Sequence, residues 1–127
     1  MRATLLLLLA WPAQWAPAAD ASWPVYLGGA GSEQYSSLTQ INKSNVNQLE
    51  VAWSYPVGEK GNYLFNPIVV DGTMYVMAKK NSIVALDAVT GKERWTHPNT
   101  GAVTQRGINY WENKDRSDRR LLYLNAG

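Results

Sequence analysis

Apolar and polar positions along this chain fall into short runs divided by turn chemistry, and the runs read as strands. In residues 50–57, Val51, Trp53 and Tyr55 alternate with Ala52 and Ser54, which predicts a strand; Pro56 marks its end or an edge. Residues 67–76 predict a hairpin, because Asp71-Gly72 stands between two runs rich in β-branched and aromatic residues, the pairing that a type I′ turn favours. Lys79-Lys80-Asn81-Ser82 is the next turn, residues 83–87 the third strand and residues 93–97 the fourth, so that 66–97 reads as one four-stranded antiparallel unit. A polar loop at 99–105 leads to a strand at 106–112, a charged turn at 113–120 and a return strand at 121–125. One helical turn is expected at 45–49, capped by Asn42 or Ser44. The implied fold class is all-β.

Residues 85–95 carry the most specific spacing: a small Ala85, Asp87 two residues on, Thr90-Gly91, and Trp95 four residues after the glycine. Gly91 tolerates the positive φ that a tight hairpin needs. A flat indole buries much area for few rotatable bonds and needs a surface poor in side chains to lie on. This A-x-D-x-x-T-G-x-x-x-W pattern resembles the tryptophan-docking repeat of the quinoprotein dehydrogenase propellers. The resemblance continues upstream. A W-P-x-Y-x-G-G opening at 23–29, a Y-S-x-L-x-Q-I-N-x-x-N-V-x-x-L segment at 35–49 and an A-W-x-Y-x-x-G strand at 52–58 stand in the order found at the N-terminus of a pyrroloquinoline-quinone (PQQ) dependent alcohol or glucose dehydrogenase.

The resemblance implies an eight-bladed β-propeller in which 66–97 is a complete blade of repeat length. In such a repeat the Trp lies flat against the neighbouring blade, the Ala leaves room for a ring and the Asp ties down backbone N–H groups. A single repeat cannot bury its faces alone. The chain is therefore expected to be an N-terminal fragment, inactive and poorly folded in isolation. Its parts would be a signal peptide at 1–18, a segment at 19–65 holding the helical turn and a first strand, and propeller blades at 66–127 with the second truncated.

Composition narrows the setting. Arg2, an apolar run at 4–10 too short to span a bilayer, and Ala16-Pro17-Ala18 resemble a secretory signal peptide, cleaved after Ala18 or Ala21. A retained anchor with Trp11 and Trp15 at a membrane interface is the alternative. The expected location is periplasmic or secreted, with membrane association of the full-length protein left open. Export permits disulfides, yet the 127 residues include no Cys. A net charge of +2 without a basic stripe argues against nucleic acid as a partner. Six Trp and seven Tyr against one Phe suit a β-rich protein with many half-buried rings.

Arg106 is the candidate cofactor-binding residue. A strand-opening Arg ordinarily reads as a solvated surface residue. Arg106-Gly107-Ile108-Asn109-Tyr110-Trp111, however, is similar to the family's R-G-x-x-Y-W segment, whose Arg contacts the cofactor. PQQ is a tricarboxylic ortho-quinone, and a planar, permanently charged guanidinium can bridge a carboxylate and a quinone oxygen. Gly107 would let the backbone approach. The family's Ca²⁺, bound by oxygen ligands, and its general-base Asp are expected downstream, so no catalytic or metal-ligating residue is assigned to Asp71, Asp87, Asp115 or Asp118. The alternating charges at 112–120 read as a solvated turn with weak ion pairs, and His97, the lone His, as a blade-edge residue.

Two departures from the family pattern matter. Alcohol-oxidising members carry adjacent cysteines a few residues before the Arg, where this chain has Thr100-Gly101-Ala102. Some members place a Glu shortly before the Pro of the first blade, where this chain has Tyr63, Leu64, Phe65 and Asn66. The first departure leans toward sugar-oxidising or uncharacterised members. The implied activity is oxidation of a small alcohol or aldose sugar, with electrons passed to the respiratory chain through a quinone or cytochrome acceptor. The competing readings are a non-catalytic propeller scaffold of the cell envelope, which would need neither Arg106 nor its segment, and a decayed remnant without activity.

Overall fold

The computed structural model describes residues 22–58 and 65–126. The signal-peptide expectation, and the positions of Tyr63 and Leu64, lie outside the described residues.

Four strands form a meander in sequence order: β1 (Ile68–Val70), β2 (Thr73–Ala78), β3 (Ser82–Asp87) and β4 (Glu93–His97). All neighbours are antiparallel, and turn chemistry sets each register. Asp71 and Gly72 take φ values of 49° and 67°, the pair of positive angles a type I′ turn requires, and bring Val70 opposite Thr73. The β2–β3 turn is less comfortable. Lys79, Lys80 and Asn81 all have positive φ, and the Ser82 hydroxyl steadies them by donating to the Lys79 carbonyl at 2.8 Å. Between β3 and β4 a bulge leaves Arg94 without a partner, since Ala85 pairs with Trp95 and Leu86 with Glu93.

A second, two-stranded sheet follows, β5 (Ala102–Glu112) with β6 (Arg119–Ala126). Trp23 exchanges two backbone bonds with Val69, and the Pro24 carbonyl accepts the Tyr110 N–H at 2.8 Å, so this short extended piece joins β1 to β5.

Both faces of the four-stranded sheet are covered. Ile68 and Ile83 pack with Ile108 of β5, and Phe65, Tyr75, Tyr110, Leu121 and Tyr123 surround them; this cluster joins the two sheets. On the opposite face, Ala78, Val84 and Leu86 are capped by Trp53, Tyr55 and Val57. Each fully buried Ile or Leu contributes about 1.5–3 kcal/mol relative to exposure.

The all-β architecture agrees with the sequence pattern, and four local expectations need correction. Residues 50–57 are not a strand. Their alternation is real, with Trp53, Tyr55 and Val57 turned to the core and Val51 87% exposed, but alternation alone supplies no hydrogen-bonded ladder. The single backbone bond here is from the Lys79 N–H to the Val57 carbonyl. The helical turn is a 3₁₀ turn at Val46–Gln48 with Asn45, not Asn42 or Ser44, at its N-cap. The Asn42 carboxamide oxygen is occupied instead by the Ser44 N–H at 2.9 Å, a local bond that competes with capping. Strand β5 starts at Ala102 within the expected loop, and β6 starts at Arg119, because cross-strand pairing with residues 125 and 126 extends β5 over polar sequence.

Candidate cofactor site

Two glycine-centred features set the geometry. The first is the turn between β3 and β4. One oxygen of Asp87 accepts the N–H groups of Val89 and Thr90 and the Thr90 hydroxyl, at 2.8–3.1 Å. Arg94 donates to the other at 2.8 Å and also reaches the Thr73 hydroxyl. Arg94 above all, and then the Thr90 donors, hold the Asp87 carboxyl far below the usual carboxylate range.

Trp53 lies over this turn. Its indole N–H donates to the Ala88 carbonyl at 3.2 Å, and a Cβ added at Gly91 would stand 2.5 Å from its ring. The sequence reading placed Trp53 only as a strand residue. The signal was available in the alternation of Val51, Trp53 and Tyr55 with Ala52 and Ser54. Trp95 itself faces Tyr75 across Ala85, with ring centroids 5.8 Å apart at an interplanar angle of 50°. Two strand spacings are about 9.6 Å, so both rings lean over the buried Ala85. Trp95 is 42% exposed and borders a cavity of about 190 Å³ with Tyr110 and Leu121.

The second feature is a large bulge in β5. Val103 pairs with Asn125 and Ile108 with Tyr123, so residues 104–107 stand opposite Leu124 alone. Bulges of this kind re-aim side chains and are common beside active sites. Gly107 closes the bulge with φ 77°. A Cβ there would be 2.8 Å from the Phe65 ring and 3.2 Å from the Asn66 carbonyl, so side-chain space and backbone angle both demand glycine. The bulge carries Arg106, which is exposed and lines an open pocket of about 270 Å³ with Thr104, Asn109, Leu122, Tyr123 and Leu124.

Arg106 differs from the other arginines in its surroundings. Arg94 is paired with Asp87, Arg116 with Asp71 and Glu112, Arg119 approaches Asp71, and Arg120 pairs with Asp118. Among the described residues no carboxylate pairs with Arg106. The charged turn is thus exposed, and it ties the β5–β6 turn to the β1–β2 turn through Asp71. On the other side of the molecule, Glu93 accepts from Lys79, from the Tyr55 hydroxyl at 2.6 Å and from the Thr96 hydroxyl at 2.6 Å, which brings its carboxyl down to about 2. His97 ends β4 on the surface, beside Trp95 and Leu121. No group of three or more potential metal-ligating side chains occurs among the described residues.

Residues 23–127 match the family described as "PQQ: Glucose/ethanol/alcohol dehydrogenase, beta-propeller domain". The chain belongs to this PQQ-dependent dehydrogenase propeller family. It is 36% identical over 117 residues to the quinohemoprotein alcohol dehydrogenase of Comamonas testosteroni, covering 82% of this chain and 16% of that protein. It is 34% identical over 113 residues to the quinoprotein glucose dehydrogenase of Escherichia coli (strain K12), covering 77% and 14%. The crystal structure of the Comamonas testosteroni enzyme superimposes with a TM-score of 0.64 at 32% identity, over 86% of this chain and 18% of that one. The chain thus spans about a sixth of the length of these curated relatives.

The donor set around Arg106 suits the family's cofactor. A permanent cation without a carboxylate partner, a hydroxyl (Thr104) and a carboxamide (Asn109) stand beside apolar Leu122 and Leu124, as a flat polycarboxylate with a ring face requires.

Proposed function

We propose that this chain is the N-terminal part of an exported PQQ-dependent dehydrogenase that oxidises an alcohol or an aldose and passes electrons to a quinone or cytochrome of the respiratory chain, and that Arg106 binds the cofactor. The observation that carries the reading is the guanidinium of Arg106, on the β5 bulge and without a carboxylate partner among the described residues, in a chain of this family. Membership supports the dehydrogenase activity, and a relative named 1-butanol dehydrogenase (cytochrome c), from Thauera butanivorans, supports a cytochrome as one acceptor.

PQQ, when bound, supplies the redox chemistry, accepting two electrons from the substrate's C–H and O–H. The work of this chain is electrostatic and positional. Arg106 would neutralise cofactor carboxylate and offer N–H donors to an oxygen that gains charge. Thr104 and Asn109 would offer the cofactor hydrogen bonds, and the exposed Leu122 and Leu124 would offer its ring face an apolar surface. Calcium and the general base belong to residues beyond this chain. The missing adjacent cysteines favour an aldose over an alcohol as substrate.

The test is reconstitution of the full-length apoprotein with PQQ, with and without Ca²⁺, followed by dye reduction with a panel of alcohols and aldoses. Ca²⁺-dependent PQQ binding and reduction with at least one substrate are expected. No PQQ binding at micromolar concentrations, or the bound form reducing no dye with any substrate, would overturn the reading.

A further inference from the structure

The side chain packed on Gly107, at the end of the bulge that carries Arg106, is Phe65, the chain's one Phe. Residues 104–107 have no ladder partners of their own, since Leu124 alone stands opposite them. Four unladdered residues have backbone freedom worth about 1–2 kcal/mol each, so something outside the ladder must fix them. At the C-terminal end of the bulge, Ile108 is fully buried against Ile68 and Ile83. Phe65 packs on the same cluster and lays its ring edge on the Cα of Gly107, where any Cβ would be 2.8 Å from Cε2 and 3.1 Å from Cδ2. The Asn66 carbonyl, one residue on, closes the third side at 3.2 Å. Phe65 therefore fills the space in which Gly107 would otherwise rotate, on the residue directly after Arg106.

We infer that Phe65 is a positioning residue for cofactor binding: it does not line the Arg106 pocket, and it fixes the Gly107 hinge so that Arg106 is presented in one orientation. This rests on the proposal that Arg106 binds PQQ. Polar sequence at 99–105 and a lone Phe ahead of Pro67 gave no hint of this coupling, because the two meet only after β5 docks on β1.

The experiment is a double-mutant cycle in the full-length protein, with PQQ affinity measured by titration in the presence of Ca²⁺ for wild type, Phe65→Leu, Arg106→Ala and the double variant. Phe65→Tyr is the conservative control, and Phe65→Ala is the more severe variant where it folds. Releasing one residue's worth of backbone freedom weakens binding roughly tenfold. Phe65→Leu is expected to weaken PQQ binding by that amount with its denaturation midpoint close to wild type. Phe65→Tyr should bind as wild type does, and Phe65→Leu should cost nothing further once Arg106 is Ala. In the apoprotein, amide hydrogen exchange at 104–107 should rise in Phe65→Leu and stay low in Phe65→Tyr. The inference is overturned if the two losses simply add, if Phe65→Leu binds normally, or if exchange at 104–107 is unchanged. Failure of the underlying reading is distinguishable, because it shows in wild type as absence of PQQ binding, while the exchange comparison still reports on Phe65 and the bulge.

Discussion

The β3–β4 turn and the β5 bulge are built on the same device, an aromatic ring pressed onto a glycine with positive φ. Trp53 covers Gly91 at φ 69°, and Phe65 covers Gly107 at φ 77°. What surrounds the device differs. In the turn the Asp87 carboxylate is saturated: it takes two backbone N–H groups, a hydroxyl and a guanidinium, and Trp53 gives its indole N–H to Ala88. In the bulge Gly107 is just as tightly covered, yet the one charged side chain has no carboxylate partner among the described residues. The contrast is what the proposed cofactor role of Arg106 rests on.

Substitutions at the two glycines should break this comparison most severely. Gly91→Ala adds a left-handed penalty of about 1–2 kcal/mol to an overpacking cost of about 1–3 kcal/mol against the Trp53 ring. Gly107→Ala should cost somewhat less, because its contact with Phe65 is longer. Denaturant titration of the full-length protein checks both, and equal or negligible losses would mean the rings do not bear on the glycines. The next largest effect separates the two regions by function. Arg106→Ala should weaken PQQ binding roughly 10- to 100-fold, the worth of a hydrogen bond to a charged group, and leave the denaturation midpoint unchanged. Asp87→Asn should do the reverse, lowering the midpoint without changing PQQ affinity. A fall in affinity for Asp87→Asn equal to that of Arg106→Ala would erase the distinction.

The smallest effect is acid sensitivity on the Trp53 side. The Glu93 carboxyl lies at about 2 in the folded protein, below its ordinary 4.5, because Lys79, Thr96 and Tyr55 donate to it. A depressed folded value stabilises above pH 4.5, and that stability is lost as pH falls from 4.5 toward 2. Glu93→Gln should flatten the stability profile in that window and change little above it. Denaturation midpoints across the acid range check this, and an unaltered slope would remove the Tyr55–Glu93–Lys79 cluster as a clasp on residues 51–57.

The parts legible in the sequence were those fixed locally. Asp71-Gly72 dictates its own turn, and the apolar run at 83–87 can only be a buried strand, so β1 to β4 were readable nearly to the residue. Residues 50–57 were misread because alternation reports which side is buried, and says nothing about whether a neighbouring strand supplies hydrogen bonds. The early start of β5 was hidden because Ala102 to Gln105 have no strand signature, and it is the pairing of Ala102 and Val103 with β6 that extends the strand. Arg106 was recognisable through its R-G-x-x-Y-W setting. Its bulge was not, since a register shift is a property of two strands together, and Trp53 and Phe65 act on glycines 38 and 42 residues away in the chain.

The most direct test is a crystal structure of the full-length protein with PQQ and Ca²⁺. The account expects a guanidinium nitrogen of Arg106 within about 2.7–3.2 Å of a cofactor oxygen, the bulge at 104–107 retained, and the Phe65 ring still on Gly107. A cofactor bound elsewhere, with Arg106 facing solvent or paired to a carboxylate of the protein, would contradict it.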